Sequence, residues 1–156
     1  MALARIGLGS NVDDAAANVR RAIDALAALG TVAARSSLYR SEPWGLPDQP
    51  DFVNAAALLQ TALEPRALLA GLKAIEHVMG RVETQRWGPR VIDLDILAYD
   101  DLEMHEPGLT IPHERLFERA FALVPLAEID PAFQAANERL PAEARASVRR
   151  IAAGGG

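Results

Sequence analysis

The chain contains no cysteine and only one lysine, Lys73, among its 156 residues, and aromatic residues make up only 5%. Without cysteine there are no disulfides, thiolate metal ligands or cysteine nucleophile, and the composition fits a reducing compartment. The longest apolar runs, such as Ala55–Leu59, are far too short to span a bilayer. Met1–Leu8 lacks the apolar segment of a secretory signal. We therefore expect a cytoplasmic protein with no membrane partner.

The charge balance is also unlike that of a nucleic-acid-binding protein. There are 16 lysines and arginines against 21 aspartates and glutamates, a net charge of −5. Because proteins bind duplexes largely by neutralising phosphates, we expect no nucleic-acid partner. Apart from Lys73 every basic residue is arginine, whose guanidinium can bind a phosphate through two hydrogen bonds. The net charge therefore leaves room for a local pocket for a small anion.

The length and composition are those of one globular domain. Half of the residues are hydrophobic and 24% are charged, and a chain of this length buries about 68–70% of its unfolded surface. No period of 20–50 residues repeats and no low-complexity linker divides the chain. We expect a single domain over residues 1–156, monomeric, in which residues 131–156 form a surface helix and a frayed tail.

Hydrophobic periodicity predicts elements in the order β-α-β-β-α-β. They are a strand at Ala4–Leu8, a helix capped by Asn11 or Asp13 that ends at Gly30, strands at Val32–Arg40 and Phe52–Thr61, a helix from Pro65 to Gly80, a strand at Val91–Tyr99, and then an extended piece at 110–113 and a helix from about Arg115 to Ala127. This order predicts an α+β, ferredoxin-like split β-α-β sandwich. Its antiparallel sheet has helices mainly on one face and a site on the other.

Asp93 and Asp95 are the sharpest local feature, because they lie two residues apart in an apolar strand. Strand side chains alternate, so both carboxylates share one face while Leu94 and Ile96 share the other. Two neighbouring carboxylates repel each other unless a cation joins them, and Mg²⁺ accepts one or two carboxylates together with phosphate oxygens. The alternative is a solvent-facing strand edge with two acids of no function.

Three arginines, Arg81, Arg86 and Arg90, precede that strand within ten residues, with Trp87 between them. Phosphoryl-type transfer is catalysed mostly by positioning and by cations around the spreading negative charge. The arginines and a metal on Asp93 and Asp95 can supply those cations. A solvated basic loop is the alternative.

Phe52 and Asn54 share one face of the strand Phe52–Thr61. An aromatic ring beside a carboxamide suits a flat heterocycle, since the ring stacks and the amide both donates and accepts hydrogen bonds. The alternative is a core phenylalanine and an asparagine at a strand start. The chain has no Walker phosphate loop, dinucleotide fingerprint or G-x-S-x-G motif, so an ATP site here works without a Walker loop.

With these residues assembled, the chain resembles the 6-hydroxymethyl-7,8-dihydropterin pyrophosphokinases of folate synthesis, from about Arg5 to Pro131. The most specific stretch is Arg86-Trp87-Gly88-Pro89-Arg90-Val91-Ile92-Asp93-Leu94-Asp95, which matches the family signature R-W-G-P-R-x-x-D-L-D-I. Supporting stretches are Gly9-Ser10-Asn11, 38–43, 48–55, Ile75-Glu76, Gly80-Arg81, 109–113 and Arg119-Ala120-Phe121.

The resemblance implies a free-standing pyrophosphokinase, in which ATP donates its β,γ-diphosphate to the pterin hydroxymethyl oxygen and leaves AMP. It implies two magnesium ions on Asp93 and Asp95, with Arg81 and Arg90 as further catalytic residues. The implied ATP-binding residues are Lys73, Glu76, Arg81, Arg86, Arg90, Ile96, Thr110, His113 and Arg119. The implied pterin-binding residues are Ser41, Glu42, Pro43, Trp44, Phe52, Asn54, Trp87, Asp95 and Phe121.

Some positions depart from the family pattern. Phe52 stands where some members have tyrosine, Gly108 occupies a site that is basic in some, and Glu114 replaces a phenol that helps to hold phosphate.

Two other functional classes fit a ferredoxin-like sheet: a two-metal nucleotidyl transferase or cyclase, and a non-catalytic ligand-sensing domain. The first needs a basic groove, which the net charge disfavours. The second leaves Asp93, Asp95 and the arginine cluster unexplained.

Overall fold

The computed structural model describes residues 1–42, 51–80 and 91–151. In chain order the elements are β1 (Ala2–Ser10), α1 (Ala15–Ala25), β2 (Thr31–Arg35), β3 (Tyr39–Ser41), β4 (Phe52–Thr61), α2 (Pro65–Val78), β5 (Asp93–Tyr99), β6 (Met104–Glu106), β7 (Leu109–Ile111), α3 (Ala120–Ile129), α4 (Gln134–Glu138), α5 (Ala142–Ala146) and β8 (Arg149–Arg150), with 3₁₀ turns at Leu26–Ala28, Leu116–Glu118 and Pro131–Phe133. No helix among these residues is long and apolar enough to cross a membrane.

The main sheet has the order β5-β1-β4-β3-β8, and β2 also pairs with β4. Its strand pairs are antiparallel. β6 and β7 form a separate two-stranded sheet. The arrangement of β1, β4 and β5 with the β2–β3 segment confirms the predicted ferredoxin-like α+β fold, and it leaves β5 at one edge of the sheet.

The two faces of the sheet are covered differently. On one face, buried residues of α1 and α2 such as Ile23 and Leu72 pack with Ile6, Leu94 and Ile96 in the larger core cluster. On the other face, α3 packs against the sheet in a smaller cluster around Leu97 and Leu123. The two longest helices, α1 and α2, thus cover one face, while α3 covers part of the second face, so that the site lies beside a helix.

The predicted strand Val32–Arg40 is two short strands, β2 and β3. Ser36 lies between them, and its hydroxyl oxygen accepts a hydrogen bond from the Ala56 backbone N–H at 2.9 Å. The hydroxyl in turn donates to the Ser37 carbonyl at 2.7 Å. A serine side chain can replace a backbone partner in this way, which interrupts the ladder without leaving Ala56 unsatisfied. The polar pair Ser36-Ser37 was the signal for this break.

Helix boundaries differ from the predictions where a local cap decides them. Asp14, rather than Asn11 or Asp13, caps α1 by accepting a hydrogen bond from the Ala17 N–H at 3.1 Å. The predicted helix from Arg115 starts as a 3₁₀ turn, and α3 begins only after Arg119, whose backbone is extended.

The segment after Pro131 is not the single surface helix that was expected. It contains α4 and α5, separated at Pro141, and then β8. Leu140 and Val148 are buried in the smaller core cluster with α3. β8 pairs with β3, and the Ile151 N–H donates to the Leu38 carbonyl at 2.8 Å. Pro141 lacks the backbone N–H that would continue α4, and apolar burial holds the two short helices against α3.

Candidate active site

A cavity of about 600 Å³ opens on the sheet face beside α3. The strand register builds its floor: Asn54 of β4 lies opposite Gly9 of β1, which lies opposite Asp93 of β5. One pleat further along, Gly7 lies opposite Asp95. Residues that oppose each other across strands point to the same face, so the Asn54 amide and the two carboxylates share one face of the sheet. Gly9 lies between Asn54 and Asp93, whereas the Leu97 side chain covers Gly7, 3.1 Å from where a Cβ atom would be.

The two carboxylates differ in exposure. Asp93 is half-buried and Asp95 is exposed, and both line the cavity. No cluster of three or more histidine, aspartate or glutamate side chains that could hold a metal occurs among the residues described. This donor set fits a magnesium ion that takes one or two carboxylates and completes its shell with phosphate oxygens and water. It does not suit a cation held by protein ligands alone.

The amide of Asn54 has a fixed orientation. Its Nδ2 donates to the Ser41 hydroxyl oxygen at 2.7 Å, and both residues are buried. Its Oδ1 therefore lies toward Gly9, where it would be 3.1 Å from a Cβ atom added to that glycine. The hydrogen bond ties β3 to β4 at the cavity and presents the amide oxygen as an acceptor there.

His113 is held as a hydrogen-bond donor. Its backbone N–H donates to the Leu97 carbonyl at 2.8 Å, and its Nδ1 accepts from the Arg115 N–H at 3.3 Å. Because Nδ1 accepts, the neutral ring carries its proton on Nε2. His113 lines the cavity, so this Nε2–H can donate to an oxygen of a bound ligand.

Arg119 and Phe121 enter the cavity together from the start of α3. The Arg119 guanidinium lies over the Phe121 ring, 5.5 Å from its centroid. Such a cation–π contact restrains both side chains and leaves the opposite face of the ring for another flat group.

The structure brings many of the predicted site residues into this one cavity. Those that line it are Ser41, Glu42, Phe52, Asn54, Asp93, Asp95, His113, Arg119 and Phe121. They come from segments that are far apart in the sequence, and the sheet register and α3 bring them together. The predicted residues Pro43, Trp44, Arg81, Arg86, Trp87 and Arg90 lie outside the described residues.

Four predicted residues are placed elsewhere. Lys73 is exposed on α2, and Thr110 lies in β7. The Ile96 side chain belongs to the core under α1 and α2. Glu76 is buried, and its Oε2 accepts a hydrogen bond from the Leu94 N–H at 2.8 Å, which ties α2 to β5. None of the four lines the cavity within the part of the chain that is described.

The cavity also has lining residues that sequence reasoning missed: Gly7, Leu8, Ala55, Leu97, Arg115, Leu116, Glu118 and Ala122. Gly7 and Gly9 alternate along β1, and alternate glycines in an otherwise apolar strand are a recognisable sign of close approach or open space on one face. Arg115 and Glu118 carried no such sign, because an exposed charge beside a helix start is common on any surface.

Comparison with known proteins identifies a family for residues 5–131, which match the model of 7,8-dihydro-6-hydroxymethylpterin-pyrophosphokinase (HPPK). A 2-amino-4-hydroxy-6-hydroxymethyldihydropteridine pyrophosphokinase of Methylorubrum extorquens is 50% identical over 133 residues, covering 84% of each chain. A protein of the same name from Haemophilus influenzae is 44% identical over 131 residues, covering 83% of this chain and 82% of its own.

The solved structures that match support the fold. Wild-type HPPK-DHPS of Plasmodium falciparum with SDX-DHP superposes with a TM-score of 0.68 at 16% sequence identity, over 89% of this chain. The match covers 43% of the Plasmodium chain, so this chain spans less than half of that protein. At such low identity the likeness concerns the fold alone.

Proposed function

This chain belongs to the 7,8-dihydro-6-hydroxymethylpterin-pyrophosphokinase (HPPK) family, and from that premise we propose how its cavity transfers the β,γ-diphosphate of ATP to the hydroxymethyl oxygen of 6-hydroxymethyl-7,8-dihydropterin. ATP is the co-substrate and AMP the second product. The observation that supports the proposal best is that one cavity collects the acid pair Asp93 and Asp95 with the ring-binding set Phe52, Asn54 and Phe121.

The acid pair would hold magnesium, with two ions as the family resemblance implies. Bound there, Mg²⁺ would neutralise charge on the triphosphate and polarise the attacking hydroxyl. Asp95 is the more exposed of the two and lies opposite Gly7 in the strand register. Arg81 and Arg90 are expected to contact the phosphates, as the family signature implies.

The pterin would lie between the rings of Phe52 and Phe121, with Asn54 hydrogen-bonded to its polar edge. Ring stacking supplies affinity, and the fixed Asn54 amide oxygen accepts a hydrogen bond from the amino side of the heterocycle. Ser41, Glu42 and the predicted Pro43, Trp44 and Trp87 complete this proposed pocket. Stacking does not need a tyrosine hydroxyl, so Phe52 suffices at its position.

The nucleotide would contact His113 through its Nε2–H and Arg119 through its guanidinium. Arg86, Lys73 and Thr110 remain proposed contacts from the family resemblance. Ile96 would contribute through the backbone of β5, which lies at the edge of the sheet. Glu76 would act indirectly through its hydrogen bond to the Leu94 N–H.

The product distinguishes this function from its alternatives. The protein is incubated with ATP, Mg²⁺ and hydroxymethyl-dihydropterin, and nucleotides are separated by chromatography. We expect AMP and pterin diphosphate in equal amounts, formed only when the pterin is present. Pyrophosphate or a cyclic nucleotide would point to a nucleotidyl transferase or cyclase, and no product would point to a sensing domain.

We also propose that one chain forms a complete enzyme, as a monomeric domain of the cytoplasm. Light scattering during gel filtration tests the oligomeric state, and we expect the mass of one chain.

Arg115 is an additional phosphate-binding residue in this proposal. It lines the cavity near His113, and no carboxylate forms an ion pair with it within residues 1–42, 51–80 and 91–151. We expect Arg115→Ala to weaken binding of a non-hydrolysable ATP analogue about tenfold, or 1.4 kcal/mol, but to leave AMP binding unchanged. Calorimetric titrations measure both. Arg66→Ala, which removes an exposed arginine paired with Glu106, is the control; equal effects of the two variants would contradict this role.

Gly9 keeps the floor of the pterin pocket open. A Cβ atom at this position would lie 3.1 Å from Asn54 Oδ1, a tight contact that forces the amide to shift. We expect Gly9→Ala to raise KM for the pterin about tenfold, because a displaced acceptor loses its hydrogen bond, and Gly9→Val to raise it further. Steady-state kinetics with each substrate varied check this. An unchanged pterin KM in both variants would show that Asn54 does not read the heterocycle.

A further inference from the structure

Glu128, near the C-terminal end of α3, makes several hydrogen bonds to the segment between β2 and β3. Its carboxylate accepts from the Ser37 N–H at 3.1 Å and from the Ser37 hydroxyl at 3.0 Å. It also accepts from the Tyr39 hydroxyl at 2.5 Å. Burial and the neighbouring Glu128 carboxylate raise the pKa of Tyr39 well above its usual range, so the phenol stays a donor.

The position of this carboxylate on the helix is electrostatically unfavourable. Glu128 is the penultimate residue of α3, where the helix dipole disfavours negative charge. The helix alone therefore gives no reason for a carboxylate here. The hydrogen bonds to Ser37 and Tyr39 offset that cost and connect α3 to the other side of the cavity.

Two walls of the proposed pterin pocket meet through these contacts. Phe121 is seven residues before Glu128, two turns away on the same stripe of α3. Ser41 is two residues after Tyr39, on the same face of β3, and its hydroxyl holds the Asn54 amide. Glu128 therefore links the helix that carries Phe121 to the strand that orients Asn54.

β3 needs such a link because it has few ladder contacts of its own. It is 3 residues long, and its outer neighbour, β8, is only 2 residues long. Short strands with few backbone bonds open readily unless side chains hold them. The Glu128 hydrogen bonds act where the chain leaves β2 and enters β3.

We propose that Glu128 is a positioning residue for the pterin, which holds β3 against α3 and so sets the spacing between Phe121 and the Ser41–Asn54 pair. This inference rests on the proposed function, in which the pterin lies between these groups. The nucleotide contact proposed for His113 precedes α3, and the His113 backbone is held by the Leu97 carbonyl of β5 rather than by β3. The predicted signature is thus a defect in pterin binding without one in ATP binding.

The test uses Glu128→Gln and Tyr39→Phe in the full-length protein. Gln can still accept from the Tyr39 hydroxyl with one oxygen but presents a donor toward Ser37, and Phe removes only the phenol oxygen. We expect KM for the pterin to rise about fivefold to tenfold in Glu128→Gln and about threefold in Tyr39→Phe. KM for ATP is expected to stay within about twofold of wild type. In the double variant the effects are expected to be non-additive, because both changes act on one contact.

Glu138→Gln is the matched control, since it neutralises an exposed carboxylate at the end of α4. We expect wild-type kinetics and pterin binding in that variant. Pterin affinity is also measured by calorimetry in the presence of a non-hydrolysable ATP analogue, which does not require turnover. Equal changes in both KM values, or a lower Tm with unchanged pterin affinity in Tyr39→Phe, would overturn the proposal. A wild-type protein that forms no AMP would instead contradict the proposed function.

Discussion

Asp95→Asn is expected to lower kcat/KM by about a thousandfold or more, equivalent to about 4 kcal/mol of transition-state stabilisation. The substitution preserves the shape of the side chain but removes the charge that we propose holds magnesium against the triphosphate. Asp95 is exposed, and its loss relieves repulsion from Asp93, so the fold is expected to persist. AMP formation and the thermal unfolding midpoint are measured on the same preparation.

The control for this variant is Asp101→Asn, which removes an exposed carboxylate beyond the other end of β5. We expect its activity to match wild type, which would show that the loss of one negative charge does not by itself lower activity. Calorimetric titration with the ATP analogue, in chelator and then in excess Mg²⁺, adds a binding measurement: the magnesium-dependent gain in affinity is expected to shrink in Asp95→Asn. Retained activity would show that Asp95 has no role in catalysis. A large drop in Tm would show that its role is structural.

Asp130→Asn is expected to reduce the free energy of unfolding by about 3 kcal/mol. Asp130 Oδ2 accepts from the Arg5 Nε at 2.8 Å, and the two side chains are only 8% and 13% exposed. Its Oδ1 accepts from the Ala132 N–H at 3.0 Å. An amide can satisfy only one of these donors and leaves the Arg5 charge buried without a counter-ion. For a chain of this size such a loss lowers Tm by roughly 6–12 °C.

Asp24→Asn provides the comparison for Asp130→Asn. It breaks the Arg35–Asp24 ion pair, which has a similar length of 3.0 Å but whose side chains are 48% and 70% exposed. Exposed pairs contribute at most about 1 kcal/mol, so we expect a shift in Tm of a few degrees or less. Chemical denaturation curves of both variants measure the difference. Similar losses in the two would contradict the importance of burial for the Arg5–Asp130 pair.

The elements that the sequence predicted well are those with a strong local pattern. β4 occupies the predicted range Phe52–Thr61, and α2 begins at Pro65 and stops before Gly80, whose φ is positive. Proline in the first turn and glycine after the last are local signals with a direct steric cause. The alternation that placed Asp93 and Asp95 on one face and Leu94 on the other also agrees with the structure.

The sequence predicted poorly the features that depend on distant partners. The break between β2 and β3 arises from a hydrogen bond between Ser36 and Ala56, 20 residues away. β8 exists because β3 offers it an edge, and Leu140 is buried because α3 offers it an apolar surface. None of these partners lies within the window over which periodicity can be read.

What the sequence determined by itself is the fold class, with the order of helices and strands, and which residues share a strand face: the two acids on one strand, and a ring and an amide on another. Only the tertiary structure decided that Gly7 and Gly9 lie between those groups and that Arg115 faces the same cavity. It also decided that Glu128 joins α3 to β3. The reason is physical: side-chain alternation follows from the backbone of a single strand, whereas register and helix docking are set by contacts between residues far apart in the chain.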